Sequence, residues 1–139
     1  MELKAGSIFV VKKFEFEDGF VKPKFLVQLN NPRKNEPVLF CLTTSQVKRY
    51  RKKYPIGCQR KSKYFFIKKC NYFEKDTWLE LDRIFDYDFG KILNNCYNGN
   101  LIYKNKIDDD CLIEIKDCIK ESKDIDEQLL KMIVETIIK

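Results

Sequence analysis

The stretch from Leu39 to Tyr54, LFCLTTSQVKRYRKKY, carries the hydroxyls of Thr43, Thr44 and Ser45 straight into a run of positive charge. The chain contains no histidine. That removes the Ser-His-Asp and Cys-His arrangements and any histidine-pair nuclease. Five glycines, none in a phosphate-loop spacing, remove the glycine-rich cradle as well. What remains is chemistry done by cations and hydroxyls. RNA brings its own nucleophile, the 2′-hydroxyl. An enzyme that cleaves it has to orient that group in line, stabilise the developing negative charge and help the leaving oxygen. A fixed ammonium or guanidinium beside a threonine hydroxyl supplies charge stabilisation and hydrogen bonding.

The net charge of +6 hides a division. Residues 1–75 hold 18 Lys and Arg against 6 Asp and Glu, whereas residues 76–139 hold 9 against 15. Between Pro37 and Phe73 there is no acidic residue, yet Lys48, Arg49, Arg51, Lys52, Lys53, Arg60, Lys61, Lys63, Lys68 and Lys69 fall there. A continuous field of one sign suits a polyanion such as a nucleic-acid backbone. Scattered lysines usually mean a solvated loop. Here the clustering, with Tyr50, Tyr54, Tyr64 and Phe65 interleaved to stack on unpaired bases, favours a single-stranded nucleic-acid surface.

The acidic residues read as structural. Asp108, Asp109 and Asp110 suit a helix start, and Asp82, Asp86 and Asp88 suit surface turns, so neither a metal nor a cofactor is expected. The six cysteines (Cys41, Cys58, Cys70, Cys96, Cys111, Cys118) form no CxxC pair, and without histidine a mixed zinc site has lost its commonest partner. Cys41 lies in an apolar run, and Cys111 and Cys118 fall seven apart on one side of a helical pattern. All six are expected to be reduced core cysteines.

The elements that must hold these groups are short. At 139 residues and 44% hydrophobic, the chain is expected to be a single domain spanning 1–139. SIFVVKK, KFLVQL, PVLFCLTT, KYFFIKK, TWLELDRIFDYD and LIYKNKI read as strands, with turns at Asp18-Gly19, NNPRKNEP and CYNGN. Spacings this short leave no room for crossover helices. The fold class is therefore mainly β, a small, strongly bent antiparallel barrel over about residues 5–107, followed by helices. Asp108 is expected to cap a helix over about 108–122, with Ile107 and Leu112 as a hydrophobic staple. A second helix, about 124–138, starts near Asp124 with Glu127 as its capping-box partner and carries Ile125, Leu129, Met132, Ile133 and Ile137 in one stripe, for the core or for a partner. No run of about 18 apolar residues and no signal-peptide pattern is present, so a cytoplasmic protein with no membrane contact is expected.

GSIFVV, KPKFLVQLNN, VLFCLTTSQ, DTWLELDRIFDYD and a helix opened by DDDCLIEIKDCI follow one another in an order and spacing that resembles the MazF/PemK-like growth-inhibitor toxins. The resemblance spans most of residues 5 to 122. It implies an SH3-like barrel with a carboxy-terminal helix. It also implies a metal-independent endoribonuclease that leaves a 2′,3′-cyclic phosphate on single-stranded RNA, and a homodimer inhibited by a cognate antitoxin protein. The family threonine falls on Thr44, with Thr43 the alternative if the register slips by one, and Ser45 and Gln46 follow as the pattern expects.

The family arginine falls on Lys24. Lysine is a point charge without the planar fork, so bidentate grip on a phosphate is lost. Weaker or altered catalysis is the expectation, with Arg33, Arg49 and Arg51 as the candidates to substitute from a neighbouring loop. Lys24 and Thr44 are the expected catalytic pair. Lys22, Ser45, Gln46, Lys48, Arg49, Arg51, Lys52, Lys53, Arg60, Lys61 and Lys63 are the expected RNA contacts. The departure at Lys24 also sustains a second expectation, a non-catalytic nucleic-acid-binding or protein-binding module on the same barrel.

Overall fold

A computed structural model describes residues 4–15, 18–44, 57–59, 64–67, 73, 75, 77–122 and 125–135. Ser7–Glu15 (β1) and Val21–Gln28 (β2) form an antiparallel pair, and Asp18 accepts the Phe20 N–H beside Gly19 at φ 82° in the turn between them. Val38–Thr44 (β3) follows β2, then Gly57–Gln59 (β4), Tyr64–Ile67 (β5) and Thr77–Tyr87 (β6). A helix, Phe89–Tyr97 (α1), leads to Leu101–Lys106 (β7), and the chain ends in Asp109–Lys120 (α2) and Glu127–Val134 (α3).

The seven strands make one sheet in the order β4-β5-β6-β3-β2-β1-β7, and every pairing is antiparallel. The mainly-β reading with carboxy-terminal helices therefore holds. Among the described residues the sheet is not closed into the expected barrel: β4 and β7 are its two edges.

Both faces of the sheet are covered at β3, which explains why that strand reads as a continuous apolar run and not an alternating one. Val38, Phe40 and Leu42 point to one cluster with Phe9, Leu26 and Ile92, while Leu39 and Cys41 point to the other with Ile8, Val27, Leu79 and Ile115. Helix α1 covers the first face through Ile92, and α2 and α3 cover the second through Ile115, Cys118, Ile119 and Ile133.

At the joint, the Gly6 N–H donates to the Gln28 carbonyl at 2.7 Å and the Ile107 N–H to the Gly6 carbonyl at 2.9 Å. Gly6 has φ 90°, and a Cβ there would lie 3.3 Å from the Ile107 carbonyl oxygen and 3.4 Å from Leu112 Cδ2. Only glycine lets β1 enter this close to the start of α2.

Asp108 caps α2 as its sequence demands, its carboxylate accepting the Cys111 N–H at 2.8 Å with Asp109 and Asp110 in the first turn. Ile107 and Leu112 are both buried. Helix α3 begins later than expected. Its cap is Asp126, which accepts the Gln128 and Leu129 N–H groups, so Glu127 opens the helix and is not a capping-box partner. Asp124 and Ile137 lie outside the described residues. The α3 stripe packs on this chain's own core, with Ile133 fully buried and Leu129 and Met132 against it.

Two elements were not expected. Helix α1 is capped by Asp88, which accepts the Gly90 N–H at 2.7 Å. Asp88 is thus a helix cap, and Asp82 and Asp86 lie within β6, where turns were expected. Strand β4 is three residues long and pairs with β5.

The expectation of six reduced cysteines is corrected as well. Cys58 on β4 and Cys118 on α2 form a disulfide, their Cα atoms 5.5 Å apart across 60 residues of sequence. Cys41 and Cys111 take no part in this bond, and Cys41 is fully buried; Cys70 and the side chain of Cys96 lie outside the described residues. Among the described residues no helix is long and apolar enough to cross a membrane.

Candidate functional site

Strand pairing decides which side chains meet. Across the sheet, Tyr64 stands opposite Glu80, Glu80 opposite Leu42, Leu42 opposite Leu26, and Leu26 opposite Phe9. Directly opposed residues share a face, and so do residues two apart on a strand. The next row runs Phe66, Trp78, Thr44 on one side and Lys24, Val11 on the other. Continuing the Leu26–Leu42 register by two residues sets Lys24 opposite Thr44. The bond from Thr43 Oγ1 to the Phe25 carbonyl, 2.9 Å, holds the intervening pair in that register.

Thr43 and Thr44 are thereby distinguished. Thr43 is buried and its hydroxyl is committed to a backbone carbonyl, while Thr44 is half-buried on the face that carries Lys24. Lys22, two residues before Lys24, lies on the same face, is exposed, and is close enough to repel it.

The residue that sequence reasoning missed is Glu80. It is 14% exposed, in the row beside Thr44, and its Oε1 lies 4.0 Å from Nη1 of Arg83. The pairing of β3 with β6 shifts here: Cys41 meets Ile84 but Leu42 meets Glu80, so residues 81–83 bulge out of the ladder and bring Arg83 back to the glutamate. The signal was present as a carboxylate between Leu79 and Leu81 in a strand. It reads as ordinary alternation until the opposite face is known to be buried.

Burial raises the Glu80 carboxyl above its usual range, against the opposing pull of Lys24 and Arg83. Burial also lowers the Lys24 ammonium, helped by Lys22 and Arg83 and opposed by Glu80. A carboxyl raised and an ammonium lowered, on one face on either side of β3 and each feeling the other's charge, are groups suited to exchange protons with a bound molecule.

Arg83, beside Glu80, is the described guanidinium whose charge reaches Lys24. Arg33 does not serve: its Nη1 pairs with Glu135 Oε2 at 3.0 Å. It lines a groove of about 730 Å3 with Lys34, Glu36, Asp86 and Asp88, at the end of β3 remote from Thr44. Ser45, Gln46, Lys48, Arg49, Arg51, Lys52, Lys53, Arg60, Lys61 and Lys63 lie outside the described residues, as do Tyr50 and Tyr54.

Of the expected stacking residues, Phe65 is buried in the core beneath the opposite face and cannot meet a base. Tyr64 remains, half-buried beside Glu80 and edge-on to Trp78 at 6.2 Å; Phe66 and Trp78 lie 4.5 Å apart as the floor next to Thr44.

No known family model matches the chain, and no curated protein matches it.

Proposed function

We propose that the chain is a metal-independent endoribonuclease that cuts single-stranded RNA. In this reading it is the growth-inhibiting toxin of a toxin–antitoxin pair, and its bent sheet is a variant of the SH3-like barrel of the MazF/PemK-like proteins. The observation that carries the proposal is the meeting of Lys24, Thr44, Glu80 and Arg83 on one face of adjacent strands.

Glu80 takes the proton of the 2′-hydroxyl as that oxygen attacks phosphorus. The bond to the 5′-oxygen breaks and that oxygen receives a proton from the Lys24 ammonium, giving a 2′,3′-cyclic phosphate and a 5′-hydroxyl. Proton return from Glu80 to Lys24 resets the site. Arg83 and the Thr44 hydroxyl stabilise the charge on the non-bridging oxygens.

The test is incubation of the purified protein with a long unstructured RNA in EDTA, followed by mapping of the ends. Cleavage with 2′,3′-cyclic phosphate ends is expected, and Thr44→Ala, which removes one hydrogen bond to a charged oxygen, slows it by roughly tenfold to a hundredfold. Undiminished cleavage by a folded Thr44→Ala protein would remove Thr44 from the site.

The second reading, a binding module without catalysis, is favoured by the lysine at the arginine position. Intact RNA that is bound with an affinity falling steeply with salt would establish it. Negligible affinity at physiological salt would point to a protein target instead.

A homodimer and a cognate antitoxin are the partners this function carries. With α3 occupied by its own core, the dimer rests on the resemblance alone. Light scattering at micromolar concentration is expected to give twice the 16.7 kDa chain mass, and a single-chain mass would remove the dimer.

A further inference from the structure

We infer that the Cys58–Cys118 disulfide is a thiol-exchange site that locks the β4–β5 edge beside the proposed cleavage site. The inference that this lock governs RNA grip rests on the function proposed above. Strand β4 is three residues long, at the short end of the usual range, so its ladder to β5 is small. It pairs with β5 through Gly57–Phe66, Cys58–Phe65 and Gln59–Tyr64, and β5 in turn sets Tyr64 opposite Glu80. The covalent bond to α2 therefore fastens the outermost strand of the half-sheet that carries Tyr64.

The two sulfurs differ in access. Cys58 is exposed, whereas Cys118 is 2% exposed and belongs to the core under α2. A dithiol reductant attacks Sγ of Cys58, the S–S bond breaks and Cys118 leaves as the thiolate, which takes a proton. The reductant's second thiol then attacks the sulfur joined to Cys58 and releases the Cys58 thiol and a cyclic disulfide. Two electrons pass from reductant to protein.

The other described thiols do not compete. Cys111 lies two helical turns from Cys118, about 10 Å along the axis. Burial pushes the Cys41 thiol far up, so its nucleophilic thiolate is not formed. Opening the bond returns Cys118 to the role of a small buried hydrophobe and leaves β4 held by its short ladder.

Differential alkylation of the intact protein with peptide mapping is expected to label Cys58 and Cys118 only after dithiothreitol. Reduced protein and Cys58→Ser are expected to keep the circular dichroism of the oxidised fold. Their β4 and β5 amides exchange at least about tenfold faster, while those of β1 and β2 are unchanged. With an RNA substrate, KM rises about tenfold on reduction, and Cys58→Ser shows the raised value with or without reductant.

Labelling of both cysteines without reductant overturns the inference. So does reduction that unfolds the whole protein, or reduction that leaves β4–β5 exchange unchanged. If RNA is neither cut nor bound in either state while the exchange difference persists, the lock stands and the RNA function falls. RNA that is cut with an unchanged KM removes the coupling to the site.

Discussion

Glu80→Gln is expected to slow RNA cleavage by about a hundredfold to ten-thousandfold, the range for removing a general base in place. Glutamine keeps the shape and a hydrogen-bonding oxygen near Arg83 but cannot take the 2′-hydroxyl proton. The parent's rate falls as pH drops through the raised value of Glu80, because only the carboxylate is competent. Stability moves the other way. A carboxyl whose folded value lies above its ordinary 4.5 binds a proton more readily folded than unfolded. The folded state therefore gains stability as pH falls from the raised value to 4.5, with no further gain below.

Lys24, lowered in the fold, acts on the alkaline side, where stability rises with pH up to its ordinary 10.5. Urea titrations from about pH 4 to about pH 8 are expected to show the acid-side gain in the parent and its loss in Glu80→Gln. An unchanged cleavage rate would remove Glu80 from the chemistry, and a parent-to-variant stability difference constant across that range would remove its raised titration in the fold.

The second large effect is in the core. Phe40 is fully buried at the centre of the face that carries the site, with the rings of Phe9 at 5.7 Å and of Phe85 and Tyr87 at 6.0 Å. Phe40→Ala leaves a cavity among three aromatics, at a cost of about 3–5 kcal/mol. That is a large part of the roughly 5–15 kcal/mol that holds a domain together. Urea unfolding is expected to show the midpoint lowered accordingly, and Phe40→Leu to recover most of it. A loss below about 1 kcal/mol in the alanine variant would mean that the neighbouring rings collapse into the space.

What was legible in the sequence follows from what is local. The run Val38–Leu42 announces a strand because five consecutive apolar residues, entered through Pro37 and closed by two threonines, are too short for a core helix and fit a buried strand. Asp108 announces α2 because a cap acts on its own next three residues.

Helix α1 was hidden because Phe89-Gly90 and the pair Asn94-Asn95 are poor helix formers, and Ile92 packing on the sheet overrides them. Strand β4 has no propensity signal at all and exists because β5 and Cys118 hold it. The proposed site divides the same way. Thr44 and Lys24 enter it from the sequence pattern. Glu80 and Arg83 enter through a bulge and a register that no linear spacing encodes, and the disulfide joins residues 60 apart.

The strand order also fixes a sequence of events during synthesis. β1, β2 and β3 pair with chain neighbours, and β6 joins them once residue 87 is available. The outer side of β1 waits much longer, because its partner is β7: Ser7 meets Lys106 and Val11 meets Leu101. Ile8 likewise waits for Ile115 on α2 to share its cluster. A nascent chain therefore holds Lys24, Thr44 and Glu80 in adjacent strands while the backbone edge of β1 is still bare. At ribosomal rates of about 5–20 residues per second, that edge stays open for roughly a second or more after β6 has formed. During that interval neighbouring chains on one message can cross-pair through it.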